Sequence, residues 1–108
     1  MARSAMDARS DRKHARREQR FAVDLAAKLR GEVAELPVRL RDLSRGGALA
    51  TCPFPPPALS SVTLLRGALA IEARVVWAGR GRFGLEFIHP IRATELLVQL
   101  SLSRASPA

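Results

Sequence analysis

From Phe21 the chain leaves a charged, aperiodic stretch and begins to alternate. Val23, Leu25, Ala27 and Leu29 are separated by Asp24, Ala26, Lys28 and Arg30, the period of two that marks a half-buried strand. Gly31-Glu32 makes a turn. Leu36, Val38 and Leu40 then alternate with Pro37, Arg39 and Arg41. Pro37 cannot donate to a ladder, which puts its part of this second strand at an edge or a bulge. Asp42 to Gly47 reads as a loop, because Asp, Ser and paired Gly favour turns. Ala48 to Thr51 is a short third strand, and Val62 to Arg66 a fourth after a proline-rich connection. Beyond the Gly67-Ala68 turn, Leu69, Ile71, Ala73, Val75 and Trp77 alternate with Ala70, Glu72, Arg74 and Val76. This is the longest pattern. Gly79 to Arg82 turns the chain again, and Phe83, Leu85 and Phe87 alternate with Gly84 and Glu86.

After Pro90 the period changes. Ile91, Leu96, Leu97 and Leu100 recur near helical spacing, which predicts an amphipathic helix from Ala93 to Ser103. Its start is set either by Pro90 in the first turn or by Thr94 as a cap. The segment Cys52 to Ser60 carries Pro53, Pro55, Pro56 and Pro57. It predicts an extended surface connection, with a peptide for a proline-reading module as the rarer use. Six short strands with tight turns and one closing helix predict a small six-stranded antiparallel β-barrel, with the C-terminal helix over an open end or face. Residues 1–15 are expected to be a flexible basic arm, 16–103 the domain and 104–108 a disordered tail.

Charge sharpens this picture. The 108 residues carry a net charge of +8. Residues 1–20 hold seven Lys/Arg against Asp7, Asp11 and Glu18, so half of the excess lies on a fifth of the chain. An anionic partner is the natural implication for the arm. Apolar residues are 47% of the chain, enough for one core but not for a large enclosed active site. Cys52 is the single cysteine, which excludes an intrachain disulfide and suits a reduced, cytoplasmic setting. No apolar run reaches membrane-spanning length, so membrane insertion is not expected. No secretory h-region is present at the N-terminus, and Asp7 and Asp11 argue against a presequence.

Candidate chemistry gathers in two places. Arg16 and Arg20, four apart with Arg17 between them, end the arm. Guanidinium forks suit the O6/N7 edge of guanine and the oxygens of phosphate. The second place is Asp42-Leu43-Ser44-Arg45-Gly46-Gly47. Asp42 and Ser44 can point the same way from a strand end. A carboxylate there can accept from guanine's amino and imino N–H groups. Gly46-Gly47 is expected to turn the backbone with positive φ and to leave room for a flat ligand. The competing explanation is a turn in which Asp42 and Ser44 bond their own backbone. Together the two segments read as a clamp for an anionic guanine nucleotide.

These two segments resemble the signature of the PilZ domain family, the bacterial receptor modules for cyclic di-GMP. Arg16-Arg17-Glu18-Gln19-Arg20 matches its RxxxR motif. Asp42-Leu43-Ser44-Arg45-Gly46-Gly47 matches its D/N-x-S-x-x-G motif. The similarity runs from about Arg16 to Leu102 and takes in Val75-Val76-Trp77 and Gly84-Leu85-Glu86-Phe87. It implies a six-stranded barrel with a C-terminal helix, in agreement with the strand count. It implies that Arg16 and Arg20 contact guanine and phosphate, that Asp42 and Ser44 bind from the barrel side, and that Gly47 holds the loop. Arg17, Arg45 and Gly46 are further contacts it suggests. Trp77 is another, although a single Trp on an apolar strand face more often belongs to the core. The expected ligand is cyclic di-GMP, with no other cofactor, and the expected output is a downstream protein.

No enzyme is visible in the residues. His14, His89 and Cys52 have no partner at catalytic or metal-ligand spacing, and Glu72 and Glu86 are expected to face water. A small basic barrel for single-stranded nucleic acid is an alternative. Against it, Tyr is absent, and Trp77, Phe83 and Phe87 fall on one inward-facing register, leaving no stacking platform. A protein-interaction adaptor without ligand is the third reading.

Overall fold

The computed structural model describes residues 19–104. The arm at 1–15, with Arg16 and Arg17, and residues 105–108 of the tail lie outside them. Six strands form: β1 (Phe21–Arg30), β2 (Glu35–Leu43), β3 (Gly47–Thr51), β4 (Ser61–Arg66), β5 (Leu69–Ala78) and β6 (Arg82–Phe87). One helix, α1 (Ala93–Arg104), follows. The strands close into a barrel in the order β1-β2-β3-β6-β5-β4, and every adjacent pair is antiparallel. No described helix is long and apolar enough to cross a membrane.

The inward alternation survives almost unchanged. Val23, Leu25, Ala27 and Leu29 of β1 face the core with Val38, Leu40 and Leu43 of β2. Val75 and Phe83, with no exposed surface, lie at its centre. Cys52 is also in this core, and burial raises its thiol pKa, the condition of an inert structural cysteine. Pro37 pairs with Lys28 of β1, while β3 joins β2 only from Arg39 onward. The residue without an N–H therefore lies beyond the reach of β3, a local edge inside a closed barrel.

Closure is short at one seam. β1 meets β4 only over Lys28, Leu29 and Arg30. Earlier on β1, backbone groups on that side need other partners. Arg66 Nη1 donates to the Ala26 carbonyl at 2.6 Å, and the Asp24 N–H donates to Ser103 Oγ at 3.1 Å. Arg66 Nε also donates to the buried Gln99 Oε1 at 2.7 Å. The helix thus covers the seam rather than an end, held by polar pegs as well as by Leu96 and Leu100. It is less amphipathic than its spacing predicts, since Leu97 is 63% exposed and Val98 and Leu102 also face outward. Neither Pro90 nor Thr94 caps it. The first helical bond runs from the Leu96 N–H to the Arg92 carbonyl at 3.0 Å, which makes Arg92 the cap position.

On the outer face of β1 and β2, Asp24 accepts from Arg39 Nε and, at 3.2 Å, from Arg41 Nη1. The Arg39 hydrogen bond, helped by the charge of both arginines, holds the Asp24 pKa below its ordinary 3.8. A depressed carboxylate stabilises the fold above its unfolded pKa and loses that contribution as pH falls through the lower folded value. A carboxyl-detected NMR titration should therefore place Asp24 below 3.8, and Arg39→Ala should move it back upward.

Candidate functional site

β2 runs to Leu43, further than its alternation predicts, and the turn to β3 takes only Ser44, Arg45 and Gly46. Ser44 organises that turn. Its Oγ accepts from the Gly47 N–H at 3.1 Å and the Gly46 N–H at 3.3 Å, while its own N–H donates to the Gly47 carbonyl at 2.9 Å. Ser44 is buried. The self-bonded turn that competes with a binding role is thus realised at Ser44. At Asp42 it is not, because that carboxylate turns to Arg20.

Arg20 stands just ahead of β1, and Ala22 pairs with Asp42 across the ladder. Two residues from Ala22, Arg20 reaches the same outer face. Its Nε lies 3.3 Å from Asp42 Oδ2 and 3.4 Å from Oδ1. One arginine of the first motif segment and the carboxylate of the second are therefore joined.

Neither Gly46 nor Gly47 has positive φ; among the described residues that conformation occurs at Leu59, Gly67 and Gly81. Gly47 is needed for a different reason. A Cβ there would collide with the carbonyl oxygen of Leu85 on β6. Further bonds stitch the turn to the chain after β6: the Phe87 N–H to the Gly46 carbonyl at 2.8 Å, and the Ile91 N–H to the Arg45 carbonyl at 2.8 Å. Arg45 Nε donates to the Ile91 carbonyl at 2.8 Å. Its guanidinium is engaged in holding this segment, and Arg45 does not line the groove described next.

Trp77 departs from the inward register. Val75 pairs with Leu85 and Trp77 with Gly84, so β5 places two residues against one on β6. This bulge turns Val76 and Trp77 outward, 42% and 44% exposed. The indole lies over Gly84, where a Cβ would come within 2.8 Å of Trp77 Cδ1 and 2.9 Å of Cε2. The core assignment of Trp77 is therefore corrected: Phe83 and Phe87 stay inside, and the tryptophan is displayed. Gly84 within an apolar strand was the available signal, since a strand glycine marks a bulge or a close approach.

Trp77 closes an open groove of about 390 Å³ whose lining includes Arg20, Ser44, Gly47, Gly84 and Glu86. Glu86, expected simply to face water, is the carboxylate there, and nothing in the strand alternation marked it. The groove has a cationic fork at its rim, a flat aromatic wall and a carboxylate, which suits a planar base attached to an anionic group. A second groove of about 490 Å³, beyond Pro90, is lined by residues such as Glu72, His89, Arg92 and Glu95 and holds none of the motif positions. Among the described residues no cluster of His, Cys, Asp or Glu could hold a metal ion.

A family model described as PilZ domain matches residues 12–103. Among solved structures, the chain resembles the PilZ domain of CeSA from a cellulose synthesizing bacterium, with TM-score 0.56 and 20% identity. That match covers 81% of this chain and 96% of the other. It shows a shared fold. No curated protein shows significant similarity to the chain.

Both glycines are open to direct test. Gly84→Ala should drive the indole off its seat. Trp77 is the only tryptophan, so the emission maximum should move to longer wavelength while the circular dichroism of the barrel is kept. Gly47→Ala should cost about 1–3 kcal/mol in urea unfolding, because backbone rather than a flexible side chain must yield.

Proposed function

The chain belongs to the PilZ domain family, the receptor family for cyclic di-GMP, and from that premise we propose that it binds this dinucleotide in the groove between Arg20 and Trp77. The observation that carries the reading is the convergence of both motif segments on one face. Arg20 of the first and Ser44 and Gly47 of the second line the same groove, opposite a displayed indole.

In this reading the indole stacks against a guanine, with offset ring packing as the main attraction. Arg20 presents its fork to the guanine O6/N7 edge or to a phosphate. Asp42 acts through Arg20, holding the guanidinium at the rim. The Ser44 turn keeps the wall formed by Gly47 close to β6. Arg16, with Arg17 beside it, supplies a second fork from the arm. The ligand carries two negative charges and the arm is basic, so binding draws the arm onto the barrel and changes the exposed surface. A protein partner reads that surface. The chain then acts as a receptor rather than a catalyst, in a reduced cytoplasmic setting.

Displaying Trp77 removes part of the case against nucleic acid. A track for single strands needs successive aromatic platforms, however, and Phe83 and Phe87 remain buried. One indole accommodates one base. An adaptor without ligand leaves the paired motifs without a role.

Calorimetry of the full chain with cyclic di-GMP tests the proposal. The parent should bind, and Arg20→Ala should lose about 1–3 kcal/mol if its fork is bidentate. No heat with the parent, or equal affinity for Arg20→Ala, refutes it. Salt-sensitive binding of single-stranded DNA or RNA that ignores cyclic di-GMP would favour the nucleic-acid reading.

A further inference from the structure

We propose that the end of the barrel formed by the β1–β2, β3–β4 and β5–β6 connections is a docking surface for an anionic lipid bilayer. The inference goes beyond the dinucleotide reading and does not depend on it.

All adjacent strands are antiparallel, so successive connections alternate between the two ends of the barrel. Residues 31–34, 52–60 and 79–81 share one end, and the Ser44 and Gly67-Ala68 turns share the other. The three most exposed large apolar side chains among the described residues are Val33 at 94%, Phe54 at 87% and Leu59 at 72%. All three lie at the first end. Scattered singly they would need no explanation, but gathered there they make an apolar tip.

The backbone holds that tip outward. Leu59 has a φ of 74°, a conformation that bulky residues rarely adopt. It is imposed by its surroundings. The Leu59 N–H donates to the Val75 carbonyl at 2.6 Å, and the next residue, Ser60, donates to the Pro57 carbonyl from both its N–H and its Oγ. Strain of this kind at an exposed apolar residue points to a use for the side chain. Pro53, Pro55, Pro56 and Pro57 have no N–H, so the segment around Phe54 brings few unpaired donors to a medium without water. The Cys52 N–H donates to the Gly81 carbonyl at 3.1 Å and ties this segment to the β5–β6 turn.

Charge identifies the partner. Arg80 and Arg82 are exposed, and among the described residues neither pairs with a carboxylate. Residues 52–60 and 79–82 contain no Asp or Glu. The carboxylates of this end, Glu32 and Glu35, belong to the β1–β2 hairpin across the barrel, and Glu35 is paired with Arg30 at 3.3 Å. Apolar side chains beside unpaired arginines fit the boundary between acyl chains and anionic headgroups. This end contributes no residue to either groove described above, and a bilayer needs no matching shape. The contact is with the bilayer surface, since no described helix is long and apolar enough to cross.

Co-sedimentation of the full chain with vesicles tests this. The parent should bind vesicles of phosphatidylcholine with phosphatidylglycerol and should not bind vesicles of phosphatidylcholine alone. Phe54→Ser should lower the partition coefficient roughly tenfold. Leu59→Gly should lower it too while the fold is kept, because glycine accepts a positive φ. Replacing Arg80 and Arg82 by Ala should lower it about fivefold for each arginine. Arg92→Ala removes the same charge from the other end and should leave it unchanged. Circular dichroism verifies that each variant is folded. No binding by the parent overturns the proposal. Binding that Phe54→Ser and Leu59→Gly leave intact also overturns it, because the basic N-terminal residues then account for the attraction. An equal loss with Arg92→Ala does the same. If sedimentation velocity without lipid finds a dimer that Phe54→Ser dissolves, the tip is a contact between two copies of the chain and the bilayer assignment falls.

Discussion

At the start of β3 the backbone of Gly47 lies against the Leu85 carbonyl so closely that no side chain fits between them. That approach sets the register Gly47–Glu86, Ala48–Leu85 and Leu49–Gly84. It places the Ser44 turn directly beside the outer face of β6. It also ends the inward run of β3 on Ala48 and Ala50, small residues that leave the centre of the barrel to Phe83 and Leu85. A larger residue at 47 would push β3 from β6 at the point where turn, core and groove meet. Glycine is thus required here by close approach, not by a left-handed backbone.

A second glycine, Gly84 on β6, works on the same outer face. Gly84 leaves a flat seat, and the bulge in β5 swings Trp77 onto it. A bulge sacrifices one regular ladder position and gains a redirected side chain. Without it, Trp77 would follow Val75 inward into a core that has no space for it, since Val75 and Phe83 are already fully buried. The groove owes its aromatic wall to this exchange.

The Arg20–Asp42 pair belongs to a different class of interaction. The two side chains are 57% and 26% exposed, and exposed ion pairs contribute about 0–1 kcal/mol. Its value is positional. It fixes the Arg20 side chain, just ahead of β1, at the groove rim. Because the contact is weak, an exchange of partners at that guanidinium costs little.

The sequence by itself determined six strands, their inward faces and the closing helix, because alternation of period two is a local property that each strand carries alone. It also supplied both motif segments, and so the family to which the chain belongs. It misjudged residues whose direction depends on a neighbouring strand. Trp77 reads inward on its own alternation and faces outward because of what β6 presents. Glu86 reads as a solvated strand residue and becomes part of a groove only when β3 and β5 are laid beside it. Gly47 reads as a turn glycine, and its role is steric, set by a carbonyl nearly forty positions away. Leu97 fits the helical period with Leu96 and Leu100, yet it stays exposed because the barrel seam takes only one narrow face. Tertiary structure decided these points for one reason: a register shift or a close approach is a relation between two strands, and no single strand encodes it.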